Sequence, residues 1–283
     1  MPTTRWKPFP YPEKTYDYVG TRLNEQWSRL HNGDREPFPA LGDLKRLVEA
    51  RPEFAPAGSL EQATSKLLDA WRAYHCGDFG QAVELGLAVG PLGYSVANKA
   101  ANIYATYLEP SESARLALFL ESAERAEFVF ARAGSTINAW YFHAQALGRY
   151  SQRISVVKAL AQGLGGKVRA SLDQAIRLEP RHADAHIALG SFHAEILNKV
   201  GALLGGLTYG ASQDEAVNHF ETALRLNPQS AIARIEYANG LAMMFGKAGL
   251  ARATALYKEA AKCPAADAME RLDAELAKSE LED

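Results

Sequence analysis

The sequence predicts an all-α fold of helical hairpins stacked one on the next, preceded by an extended arm. Three observations carry this expectation. Proline and aromatic residues crowd the first 40 positions and then thin out. From residue 41 onward Ala and Leu dominate, and apolar residues recur at spacings of three and four, the signature of amphipathic helices packed on one another. In the second half one phrase of alanine, aromatic and proline returns. Strand-like alternation is absent.

In chain order, residues 1–40 form the arm. It holds Trp6, Phe9, Tyr11, Tyr16, Tyr18, Trp27 and Phe38, and prolines at 2, 8, 10, 12, 37 and 39 forbid a continuous helix or central strand. Only 20–30 can hold a short helix. So many aromatics bury too much apolar surface for the segment to stay free, so the arm is expected to lie ordered on the body. Residues 41–283 form the helical-repeat domain. Pro52 and Pro56, Pro91 and Gly93, Pro110, Gly134, Pro180, Pro228 and Pro264 punctuate its helices.

The recurring phrase is Leu172-x-x-Ala175-x-x-x-x-Pro180, then Ala216-x-x-x-Phe220-x-x-Ala223-x-x-x-x-Pro228, then Ala253-x-x-x-Tyr257-x-x-Ala260-x-x-x-Pro264. Small alanines let two helices approach, the aromatic fills the gap between them, and proline stops the helix before the next unit. Trp140-x-x-His143-Ala144, His186-x-x-Leu189-Gly190-x-x-His193 and Arg234-x-x-Tyr237-Ala238-x-x-Leu241 supply matching first helices. With both halves present three times, residues 136–264 resemble the tetratricopeptide family. That resemblance implies a right-handed helical-hairpin solenoid. Residues 60–89, with Gly77-Asp78-Phe79 and Ala82, look like an earlier degenerate unit, 94–132 like a further, poorly matched pair, and 265–283 like an amphipathic capping helix.

The repeats are longer than usual. Fourteen extra residues between Gly190 and Ala216 are close to four helical turns, so the first helix is extended, or carries an extra turn and loop at 205–210. Lengthened repeats of this kind resemble the regulator of microtubule dynamics family through Ala139-Trp140-Tyr141, the link at 207–212, and 216–220 with Pro228. They resemble the T-component of TRAP-type transporters less closely. The first resemblance implies cytosolic binding with lipid or cytoskeletal partners. The second implies a periplasmic solute-handling oligomer.

In this architecture first helices line a concave groove, and the helical period brings one stripe of each onto it. The candidate groove residues are Asn138, Tyr141, Gln145 and Arg149, then Ser191, Glu195 and Asn198, then Ile235, Asn239 and Met243. Asp184 and Ile187 fall on the same stripe. One arginine among amides, an aromatic and apolar side chains suits a peptide or protein partner, and the chain's own arm is a candidate occupant of the idle groove. An alternative is a lipid or other apolar small molecule carried in a tunnel near Val200, Leu203, Leu204 and Leu207. The competing expectation for Arg149 and Glu195 is a mutual salt bridge.

Other classes of function find little support. A net charge of -2 gives no basic excess for a phosphate backbone, so nucleic acid is not expected. The N-terminal MPTTRWKPFPYPEK lacks the unbroken apolar stretch of a signal peptide, and no segment approaches the length of a membrane span, which points to the cytoplasm. Cys76 and Cys263 are far apart and are expected to be buried thiols. His182, His186 and His193 have metal-like spacing, but the repeat places two of them at packing positions and the first in a turn, so no metal is expected. Residues 163–167 lack the residues of a phosphate-binding loop and are expected to be a turn between helices. No catalytic set, cofactor or enzymatic activity is predicted, and a monomer is favoured.

Overall fold

The computed structural model describes residues 6–11 and 14–282, and those residues form fifteen α-helices and no strand. They divide into two compact units. One comprises the described residues up to 28 together with 36–153, the other 29–35 with 154–282.

The first unit contains most of α1 (Arg22–Leu30), then α2 (Leu41–Ala50), α3 (Leu60–Cys76), α4 (Phe79–Val89), α5 (Tyr94–Tyr107), α6 (Glu112–Arg132) and α7 (Ile137–Gln152). Local sequence sets these boundaries. The Ser59 hydroxyl accepts from the Gln62 amide to start α3, Gly77 ends it at φ 93°, and the Asp78 carboxylate accepts from the Gln81 amide to start α4. A left-handed residue at a helix end costs glycine nothing, and short polar side chains replace the hydrogen bonds that the first turn lacks. The expected pairs at 60–89 and 94–132 are therefore present as α3 with α4 and α5 with α6. Trp71, Tyr74, Tyr104, Phe119 and Phe142 form the fully buried centre of the unit.

The second unit holds α8 (Val156–Ala161), α9 (Leu164–Leu178), α10 (Ala183–Val200), α11 (Ala202–Tyr209), α12 (Gln213–Leu226), α13 (Ala231–Phe245), α14 (Leu250–Ala260) and α15 (Ala268–Glu282). Phe220 of α12 shows how the repeat phrase packs. It is fully buried, stacks on Tyr237 with ring centres 5.0 Å apart, and lies where any Cβ on Gly190 or Gly240 would come within 2.9 or 2.7 Å of its ring. The two glycines make room for the aromatic, and the alanines Ala216 and Ala223 bring the helices together around it.

The lengthening combines the two expected forms. Helix α10 runs 18 residues to Val200, and after Gly201 the chain makes α11, so 205–209 is helical where a loop was one expectation. The turn expected over 163–167 is confined to its start. Only Gly163 has positive φ, 63°, and residues 164–167 already belong to α9. The cysteines also differ from expectation: Cys76 is exposed and Cys263 half-buried. Cys76 is the last residue of α3 and Cys263 lies in the connection between α14 and α15, where fewer neighbouring helices cover a side chain.

Candidate partner-binding groove

In the first unit the arm is held by rings. Trp6 meets Tyr104 edge-on at 4.6 Å, the Lys7 amide donates to the Tyr104 hydroxyl at 3.0 Å, and Phe9 lies against Gly77 and Phe79. Trp27 packs edge-on to Trp71 at 5.5 Å and to Phe38 at 5.1 Å. Its indole N–H donates to the Glu36 carbonyl at 2.7 Å.

Beyond Trp27, the arm reaches the predicted stripe. The Glu36 carboxylate accepts from the Ser95 hydroxyl of α5 at 2.7 Å and from the Asn138 side-chain amide of α7. Farther along α7, Gln145 accepts from the Asn102 side chain of α5 at 2.9 Å and donates to the Tyr141 hydroxyl at 3.2 Å. Arg149 donates to Gln152 at 3.3 Å. Asn138, Tyr141, Gln145 and Arg149 thus share one face of α7, where Asn138 and Tyr141 are buried and Gln145 and Arg149 half-buried.

Sequence reasoning did not single out Ser95, Asn98 or Asn102, which complete this face from α5. They are spaced i, i+3 and i+7 in an alanine-rich helix, a polar stripe legible in retrospect. Asn98 accepts from Arg125 at 2.8 Å. Beside the same face, residues 36–39 of the arm help to wall a cavity of about 200 Å³, lined largely by apolar side chains including Leu44, Leu67, Trp71, Tyr94 and Phe142.

In the second unit the remaining stripe residues fall on α10 and α13. Ser191 donates to Glu236 of α13 at 2.9 Å, Glu195 accepts from Lys199 at 3.0 Å, and Asn239 accepts from the Tyr257 hydroxyl. Burial pushes the Tyr257 hydroxyl up to about 12. Ile187 and Ile235 are buried, Asn198 is exposed, and Met243 is 41% exposed. Leu203, Leu204 and Leu207, expected to wall a tunnel, lie on the outer face of α11 and are exposed.

The turn 29–35 belongs to this unit and is held by polar contacts. The Asp184 amide donates to the Gly33 carbonyl at 3.1 Å, Asn32 donates to the Leu226 carbonyl at 3.2 Å, and Arg29 makes a two-pronged pair with Glu270 at 2.7 and 2.9 Å. Within the turn, His31 and Asp34 form a buried pair at 2.9 Å.

His182 caps α10, its ring accepting from the Ala185 amide at 3.0 Å. His186 and His193 pack between α10 and α12, as expected from the repeat, but they meet a third ring that sequence reasoning missed. The Nδ1 atoms of His186 and His219 are 2.8 Å apart, and His193 stacks on His219 at 5.9 Å. Burial is the main cause that lowers the pKa of all three, to about 4 for His193 and His219; the Arg169 guanidinium adds to the effect on His193, and the neighbouring imidazoles to that on His219. His219 shares the i, i+3, i+4, i+7 stripe of Ala216, Phe220 and Ala223, which was its available signal. Among the described residues no group of three His, Cys, Asp or Glu is arranged to hold a metal ion.

No protein-family profile matches the sequence, and no curated protein matches it either. A structural match is found with a thermophilic TPR protein of Thermus thermophilus, at a TM-score of 0.55 and 18% identity, covering 77% of this chain and 99% of the other. At that identity the likeness speaks for the fold. The chain has the all-α, tetratricopeptide-like helical-repeat fold that its repeat phrase predicts.

Proposed function

We propose that the protein is a non-enzymatic helical-repeat scaffold whose first-helix faces hold a peptide segment of a protein partner. The supporting observation is the Glu36 carboxylate seated on Ser95 and Asn138. A face that accommodates an acidic side chain from an extended, proline-flanked segment of its own chain offers the same donors to a partner segment of like chemistry. On this reading the arm occupies the idle face. Tyr141, Gln145 and Arg149 continue it along α7, and Ser191, Glu195, Asn198, Ile235, Asn239 and Met243 form the corresponding row in the second unit. The tetratricopeptide-like helical-repeat fold favours binding over catalysis.

The test uses peptides selected from a displayed library on the intact protein, with affinities read by fluorescence polarisation. The double variant Arg149→Ala/Asn239→Ala is expected to weaken them about tenfold. Glu36→Ala, which removes the arm's own carboxylate from Ser95 and Asn138, is expected to tighten them. Unchanged affinity in both variants would sink the groove assignment.

The cavity favours a second reading, a carrier or sensor of an apolar small molecule. Its volume of about 200 Å³ exceeds the roughly 150 Å³ of an engineered cavity that takes benzene, and falls below the roughly 300 Å³ at which drug-sized sites begin. A compound of one or two rings fits that size better than a lipid chain does. Native mass spectrometry decides: a discrete mass increment lost on denaturation supports this reading, and a clean apo mass counts against it.

A further inference from the structure

Helices α9 and α10 run antiparallel through the short connection at 179–182, so the start of α9 and the end of α10 lie together. Helix α8 leads into the first and α11 leaves the second. The ring of Tyr209 in α11 lies against Gly165 in α9, 2.9 Å from where a Cβ would stand. The hairpin of α12 and α13 brings its open end to the same place: Gln213, the first residue of α12, donates to the Met244 carbonyl near the end of α13 at 3.1 Å. Three first-to-second-helix connections therefore share one end of the second unit.

That end is apolar at its tips. Val156, Val157 and Leu160 in α8 repeat the i, i+1, i+4 spacing of Leu203, Leu204 and Leu207 in α11, which sets each trio on one helical face. Val157 is 77% exposed, Leu203 76% and Leu207 79%. Met243, Phe245 and Leu250 expose the third connection. Of fourteen large apolar side chains exposed among the described residues, nine are at this end, so the clustering is local and not a general property of the surface.

Charge selects the occupant. In a chain with 33 acidic residues, the stretches 154–172, 196–213 and 237–258 hold seven Lys and Arg and no Asp or Glu. Lys158, Lys167, Lys199 and Lys247 are exposed around the apolar tips. The acids that flank these stretches are Asp173, paired with Arg169, Glu195, paired with Lys199, Glu236, which accepts from Ser191, Glu259, close to Arg252, and the exposed Asp214 and Glu215 that open α12. The lysines at the tips themselves are therefore Lys158, Lys167 and Lys247. A second protein surface would be served by a rim of mixed sign. Projecting aliphatic tips ringed by lysine match the boundary of an anionic bilayer, where apolar side chains enter among the acyl chains and cations meet headgroup phosphates. Among the described residues no helix is long and apolar enough to cross a membrane, so the contact is peripheral.

We propose that α8, α11 and the connection between α13 and α14 form a docking surface for anionic lipid bilayers. The experiment is vesicle flotation of the full chain, with phosphatidylcholine alone and with roughly 30 mol% phosphatidylglycerol added. The wild type floats with the anionic vesicles and much less with the neutral ones, and added salt weakens the association. Leu203→Ser/Leu204→Ser/Leu207→Ser lowers partitioning about tenfold or more. Val157→Ser, on a separate helix, lowers it independently, so a fold defect in one variant does not carry the result. Lys158→Glu/Lys247→Glu removes the preference for anionic vesicles. No flotation of the wild type, or flotation unaffected by the serine variants, overturns the proposal. So does a concentration-dependent dimer in sedimentation equilibrium, abolished by the same serines without any vesicle association, which assigns the patch to a second copy.

Discussion

The two units hold the N-terminal arm by different means. In the first, Trp6, Phe9 and Trp27 meet Tyr104, Phe79 and Trp71 through ring edges, Phe38 backs Trp27, and the Glu36 carboxylate accepts from Ser95 and Asn138 beside them. In the second, the turn 29–35 is held by backbone and side-chain hydrogen bonds and the Arg29–Glu270 pair. Aromatic contacts supply non-directional burial that salt does not screen, whereas the polar turn depends on geometry that one misplaced atom disturbs. The first unit's anchorage should therefore respond to lost volume, and the second's to added volume and salt.

The largest effect should come from removing volume in the first unit. Trp71→Ala, which deletes a buried ring beneath Trp27, should cost about 3–5 kcal/mol. Hydrogen-exchange mass spectrometry should show the loss of protection concentrated in α3 and the arm. Equal loss throughout the second unit would erase the distinction between the units.

A bulky side chain at residue 33 tests the polar turn. A Cβ there would stand 2.3 Å from the Asp184 carboxylate, so Gly33→Val forces the turn off α10, at a cost of about 1–3 kcal/mol. Exchange should rise at 29–35 and at the start of α10. Wild-type protection at both would show that the carboxylate simply swings aside.

Acid should separate the units by another route. His193 and His219 are held near pKa 4 in the fold, below the ordinary value of 6.5, so the unfolded chain takes up protons that the folded chain refuses. Their neutral packing contributes its full stability above about pH 6.5, and that contribution is lost as pH falls toward 4. Thermal melts should show on the order of 2 kcal/mol less stability at the acid end. His193→Gln/His219→Gln should flatten that slope, and a slope unchanged by the double variant would assign it to other groups.

The smallest expected effect is Arg29→Ala, about 1 kcal/mol at low salt, because the pair with Glu270 is partly exposed. High salt should shrink the difference between variant and wild type, measured by chemical denaturation. A salt-independent difference would mean that the arginine stem's packing matters more than its charge.

Much of the fold is legible in the sequence. Ser59, Gly77 and Asp78 bound α3 and α4 by chemistry within a few residues of each boundary, and the phrase around Phe220 fixed which face of α12 is buried. The site was less legible. The stripe on α7 was readable from its period, but Ser95 and Asn102 were obscured in a helix with poor repeat agreement, and Glu36 gave no local sign that it would meet Asn138, 102 positions away. His219 went unnoticed because its partners lie on another helix.

The sequence by itself determined the helices, their caps, the repeat and the aromatic content of the arm, because these depend on neighbours three or four residues apart and on where proline and glycine permit the backbone to turn. Tertiary structure decided which surfaces the arm covers, where the cavity lies, and that Leu203, Leu204 and Leu207 face outward. Those outcomes depend on pairings such as Arg29 with Glu270, 241 residues apart, and on which helix face finds a neighbour to bury it. Local periodicity marks a face as apolar, but only packing determines what covers it.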